Sequence, residues 1–97
     1  MGLNRKLSSI LHGRQIAQCE AAPDQLSLAF RDGSRLVVRL AAAAPPLPAT
    51  GAIQKVLETG SRFVLVLESG PQVEIALADP GSSVSLRDRH GKVEYLG

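Results

Sequence analysis

Apolar residues first recur at helical spacing. Leu3, Leu7, Ile10 and Leu11 fall on one stripe, and Gly13 follows as a left-handed stop. This predicts a short amphipathic helix over 3–12, with Arg5, Lys6, Ser8, Ser9 and His12 on its polar side. Such a segment buries too little to hold a bilayer surface alone, so it reads as a helix laid across one open end of a β core.

From residue 14 onward the period becomes two. Leu26, Leu28 and Phe30 alternate with Ser27, Ala29 and Arg31, and Leu36, Val38 and Leu40 alternate with Val37 and Arg39. Asp32-Gly33 lies between the runs and predicts a hairpin. A two-residue turn would pair Phe30 with Arg35 and send the apolar sets to opposite faces. A three-residue loop, Arg31-Asp32-Gly33, puts Gly33 in the left-handed position of a bulged turn. It pairs Phe30 with Ser34, Leu28 with Leu36 and Leu26 with Val38, so the apolar residues share one face.

The same unit returns 37 positions later without a gap. Ile16 to Ala41 aligns with Ile53 to Ala78, and Ile16, Leu28, Gly33, Leu40 and Ala41 recur unchanged. Leu26 faces Phe63, Phe30 faces Leu67, Leu36 faces Val73, Val38 faces Ile75, and Cys19 faces Val56. The second copy should therefore turn at Glu68-Ser69-Gly70 and pair Leu65 with Val73 and Phe63 with Ile75. Each copy opens with a less regular piece, 15–21 and 52–58. A hairpin needs a third strand to be stable, so a bulged strand is the preferred reading over a helical turn.

Pro45, Pro46 and Pro48 make 42–51 an extended connector of restricted backbone. After the turn at Asp79-Pro80-Gly81, Val84 and Leu86 are answered by Val93 and Tyr95. A four-residue loop, Asp88 to Gly91, would pair Leu86 with Val93 and Val84 with Tyr95. The expected fold is a single all-β domain over 1–97, a small barrel or sandwich of seven or eight short antiparallel strands with one short N-terminal α-helix. Its parts are the helix (3–12), a first β unit (15–41), the connector (42–51), a second β unit (52–78) forming an internal pseudo-repeat of a three-stranded unit, and a C-terminal hairpin (83–96). The expected core is Leu26, Leu28, Phe30, Leu36, Val38, Leu40, Phe63, Leu65, Leu67, Val73, Ile75 and Leu77.

Composition narrows the class further. An apolar fraction of 44% excludes a disordered chain. The single Cys19 cannot form an internal disulfide, which excludes a stapled secreted domain. No apolar run spans a membrane, and His12 to Gln15 interrupt what would otherwise resemble a leader before Cys19, so a cytoplasmic protein is expected. The net charge of +2 is too small to argue for a polyanion by itself. Its placement says more. Residues 1–40 carry Arg5, Lys6, Arg14, Arg31, Arg35 and Arg39 against Glu20, Asp24 and Asp32, whereas the remainder is balanced slightly toward acid.

Candidate chemistry is sparse. His12 and His90 have no companion at metal-ligand spacing and read as solvated polar residues. Cys19, aligned with Val56, reads as a small buried apolar site rather than a nucleophile. Ser82 and Ser83 lack a nucleophile-elbow pattern, and no glycine-rich phosphate loop or carboxylate pair is present. No catalytic residue, metal or cofactor is therefore assigned. The candidate interaction surface is Arg31, Arg35 and Arg39, whose aligned positions in the second unit are Glu68, Gln72 and Ala76. The expected function is a non-catalytic protein-interaction or structural module that binds a protein partner or itself, with a homodimer expected. The alternative is a weak nucleic-acid-binding β domain using the same arginines, which the lack of aromatics among them disfavours.

Overall fold

A computed structural model describes residues 2–48 and 50–97. Ten elements follow in order: β1 (Gly2–Leu3), α1 (Arg5–Leu11), β2 (Gln15–Ala22), β3 (Gln25–Phe30), β4 (Arg35–Arg39), β5 (Gly51–Thr59), β6 (Arg62–Leu67), β7 (Gln72–Ala76), β8 (Val84–Arg87) and β9 (Val93–Leu96). The antiparallel ladder runs β7-β6-β5-β2-β3-β4-β8-β9, with β1 added beside β5. A bridge between Leu40 and Leu77 joins the ends of β4 and β7. The six strands β2 to β7 therefore close on themselves as a small barrel, and β8-β9 extends the ladder from β4. The fold is all-β with a single short helix, as the periodicity predicts.

The pairing registers of the two three-stranded units correspond. Leu28 pairs with Leu36 and Leu26 with Val38, as Leu65 pairs with Val73 and Phe63 with Ile75. The opening pieces are both strands. Each carries a bulge at the corresponding place, between Ile16 and Gln18 in β2 and between Ile53 and Lys55 in β5. The contacts between the units obey the same offset. Gln15 lies opposite its own counterpart Ala52, and Leu40 opposite its counterpart Leu77. Around the second pair, Ala41 N–H donates to Ala76 O at 3.0 Å while Ala78 N–H donates to Arg39 O at 3.0 Å. At both pairs, then, positions 37 residues apart meet each other.

All twelve expected core residues are buried, and Leu7, Leu11, Ile16, Ile53, Val56, Val84 and Leu86 complete the cluster. β6 is buried on both faces: Val64 and Val66, which point outward from the barrel, are only 5% and 4% exposed. Its continuous apolar run, Phe63 to Leu67, is the composition expected of such a strand.

Four expectations need correction. The helix begins at Arg5, because Asn4 caps it: its side chain accepts from Leu7 N–H at 3.0 Å. Leu3 leaves the helical stripe, pairs with Leu57 in β1–β5 and is half exposed. Below the cap, Ser8 Oγ donates to Val56 O and accepts from Val56 N–H, which docks the helix on β5. The C-terminal hairpin turns through three residues, not four. Asp88 N–H donates to Lys92 O and Gly91 N–H to Asp88 O, the pattern that Phe30, Ser34 and Gly33 make in the first hairpin and Leu67, Pro71 and Gly70 in the second. Arg87 then pairs with Val93, and an irregularity at Glu94 brings Tyr95 opposite Leu86. Cys19 is half buried against the core rather than fully buried like its counterpart Val56. Finally, Gly51 belongs to β5 rather than to the connector.

Candidate functional site

Strands β2, β3, β4, β8 and β9 present one continuous outer face, because alternate residues of each point away from the core. The pairing sets its rows. Gln18, Ala29, Arg35, Arg87 and Val93 form one row; Glu20, Ser27, Val37, Ser85 and Leu96 form the next; Ala22, Gln25 and Arg39 form a third. Small side chains, Ala29, Ser27 and Ser85, leave its middle low. Arginines and apolar groups stand above them.

Arg35 lies directly opposite Arg87. Like charges in that position repel, and neither guanidinium forms an ion pair with any described carboxylate. Arg87 Nη1 instead donates to Gly91 O at 3.0 Å. Arg39 is held differently: its Nη2 lies 3.3 Å from Asp79 Oδ2 and donates to Ser82 O at 2.9 Å. Asp79 is itself held by Ser83, whose Oγ donates to Asp79 O and accepts from Asp79 N–H. The 79–83 turn therefore positions Arg39 at the rim of a cleft of about 440 Å³, whose lining includes Val37, Ser82, Ser85 and Leu96.

Of the three arginines singled out in the sequence, Arg35 and Arg39 share this face. Arg31 does not: it sits on the first hairpin loop, in a depression with Ile10, His12, Gly13, Arg14, Gln15 and Asp32. Arg87 was not legible as their companion, because nothing in the local pattern says that the last hairpin docks on β4.

A second polar cluster ties that loop end together. Arg14 donates from Nη1 and Nη2 to the two Glu94 oxygens, each at 2.9 Å, and its Nε is 3.6 Å from Asp32 Oδ2. The hydrogen bond to Glu94 holds the Arg14 guanidinium still more firmly protonated. Asp32 accepts from the Ser34 hydroxyl and from Ser34 N–H, and the two bonds, with Arg14 nearby, hold its carboxyl below the usual range. The counterparts of Arg14, Asp32 and Ser34 in the second unit are Gly51, Ser69 and Pro71, so this network exists once. It is satisfied internally and fastens β9 to the barrel.

The other titratable candidates are separated. His12 Nδ1 donates to Gln54 O at 3.0 Å, and His90 Nε2 accepts from Arg89 at 3.3 Å on the last hairpin. Burial, and then Glu20, push the Cys19 thiol up, so it is a poorer nucleophile than an ordinary cysteine. No group of three metal-ligating side chains occurs among the described residues.

No family model, curated protein or solved structure matches this chain. Among the described residues no helix is long and apolar enough to cross a membrane.

Proposed function

We propose that the protein is a non-catalytic interaction module whose outer β3-β4-β8-β9 face binds an acidic protein surface. The observation that carries this reading is the opposition of Arg35 and Arg87, two exposed arginines directly across from each other on β4 and β8, neither in an ion pair with a described carboxylate. Such a pair costs the fold stability, and an anionic partner would relieve the repulsion. Nucleic acid is the weaker reading. Phe30 and Phe63 are buried, and Tyr95 is half buried against the core with Lys6 over its ring, so no described aromatic stands fully exposed for base stacking.

The coincidence of pairing registers supports reading the two units as an internal repeat. The free Cys19 supports a reducing compartment such as the cytoplasm. Self-association through the same face is the homodimeric form of the proposal. Light scattering over a range of concentrations then reads a mass near 10.2 kDa or about twice that.

The test is fluorescence anisotropy with a labelled glutamate-rich peptide and a labelled oligonucleotide at low and moderate salt. Peptide binding that is lost in Arg35→Glu plus Arg87→Glu, and kept in Lys55→Glu on the second unit, supports the reading. Tighter binding of the oligonucleotide, or no binding of peptide at low salt, overturns it.

A further inference from the structure

Three large apolar side chains are conspicuously exposed among the described residues: Leu3, Val93 and Leu96. Two of them, Val93 and Leu96, stand on the basic face, and Leu96 is 67% exposed. Leu96 walls the cleft that contains Val37 and Ser85 on β4 and β8, with Arg39 at its rim. At about 440 Å³ the cleft falls within the ~300–1,000 Å³ that holds bulky organic groups. Apolar surface here is thus bracketed by positive charge. Against Arg35, Arg39 and Arg87 the paired rows set Glu20, and Asp79 is already bound to Arg39; Gly97 also lines the cleft, its carbonyl oxygen accepting from Val84 N–H.

The spacing is specific. Arg35, Val37 and Arg39 are successive outward residues of one strand, with Val37 midway and the two arginines about 13 Å apart along β4. A segment in extended conformation has the same period: residues i–2, i and i+2 share a face. We infer that the cleft seats the apolar side chain of an extended acidic segment from a protein partner, of the pattern acid-x-apolar-x-acid, with the apolar group on Val37 and Leu96 and the flanking carboxylates on Arg35 and Arg39. This rests on the proposed function and deepens it, since it names where the partner is anchored and what its sequence must offer. The apolar anchor supplies the affinity and the arginines supply orientation and encounter rate. Arg39 exchanges or shares its contact with Asp79, while its bond to Ser82 O keeps it at the rim.

The test uses three labelled nine-residue peptides and the intact protein. One has the core Glu-Ser-Phe-Ser-Glu, one Glu-Ser-Gly-Ser-Glu, and one the same composition as the first with the acids adjacent, Glu-Glu-Phe-Ser-Ser. The phenylalanine core is expected to bind on the order of tenfold or more tightly than the glycine core, as burial of one such ring implies. The adjacent-acid core should be weaker than the alternating one. Leu96→Ser, at an exposed position that leaves the urea melt unchanged, should bring the phenylalanine peptide down to the glycine level without moving the glycine peptide. Equal affinity for the phenylalanine and glycine cores, or an unchanged ratio in Leu96→Ser, overturns the anchored segment while leaving the basic-face reading intact. Failure of all three peptides at low salt removes both.

Discussion

Arg35 stands opposite Arg87 on neighbouring strands, both guanidinium groups on the outer face and neither in an ion pair with a described carboxylate. A direct cross-strand pair of like charge destabilises a sheet, and an opposite pair stabilises it, each by about 0.2–1 kcal/mol. Arg35→Glu is therefore expected to raise stability by roughly 0.5–1 kcal/mol in a urea melt. The same substitution should weaken binding of an acidic peptide. A gain in stability bought with a loss of binding is the usual signature of a functional surface. An Arg35→Glu protein less stable than the parent would show that the two side chains do not repel.

Gly33 and Gly70 occupy corresponding turns but differ in their surroundings. Both have positive φ, 89° and 109°. A Cβ on Gly33 would come within 2.6 Å of Arg89 Cβ on the C-terminal hairpin, whereas one on Gly70 would meet nothing within 4 Å. Gly70→Ala carries only the backbone penalty, about 1–2 kcal/mol. Gly33→Ala carries that penalty and must also displace the neighbouring loop, so its loss should be clearly larger. Equal losses in parallel denaturant titrations would mean the two loops can separate freely.

Asn4 joins three parts of the molecule. Its Oδ1 caps α1, and its Nδ2 donates to Glu58 Oε1 and to the Tyr95 hydroxyl, each at 3.0 Å. Asn4→Ala removes all three bonds and should cost about 2–3 kcal/mol, of which the cap is about 1. Asn4→Ser keeps a capping oxygen and should recover only that part. Full recovery by serine would mean that the bonds to β5 and β9 contribute nothing.

The hairpins and the core were legible because each depends on local pattern. Alternation names Leu26, Leu28 and Phe30 as inward. Only one loop length then keeps Leu36 and Val38 beside them, and the offset of 37 transfers the answer to Phe63, Leu65, Val73 and Ile75. The barrel closure at Leu40 and Leu77 was not legible, since a strand's inward pattern does not say which edge it meets. The third hairpin misled for a specific reason. Counting apolar positions favours Leu86 opposite Val93, but Asp88 accepts from both His90 N–H and Lys92 N–H and closes a shorter loop. The slack is taken up at Glu94, which reaches Arg14. The candidate site was half visible. Arg35 and Arg39 follow from alternation on one strand. Arg87, Leu96 and the cleft depend on the docking of β8-β9 beside β4, a long-range choice that no local motif records. Leu3 fits the helical stripe, yet the capping side chain of Asn4 starts the helix after it.

The Asp32 carboxylate makes stability depend on pH in a definite direction. The Ser34 hydroxyl, the Ser34 N–H and Arg14 all favour its charged form and lower its pKa in the folded protein. A carboxyl with a lowered folded pKa contributes stability above the unfolded value, about 3.9, and loses it as pH falls through the folded value. Asp88 lines the same depression and its carboxyl is also held below the usual range, first by the Lys92 N–H, so the parent curve alone would mix the two carboxyls. Asp32→Asn separates them. It cannot ionise, and at pH 7 it should be less stable than the parent by about 1 kcal/mol, since the carboxylate is half exposed and its attraction to Arg14 is screened. Urea melts of both proteins between pH 7 and pH 2.5 should show this gap holding down to about pH 4 and then closing, because only the parent has a charge to lose at position 32. A gap that stays constant to the lowest pH would mean the charge on Asp32 adds nothing to the fold beyond what the asparagine already provides.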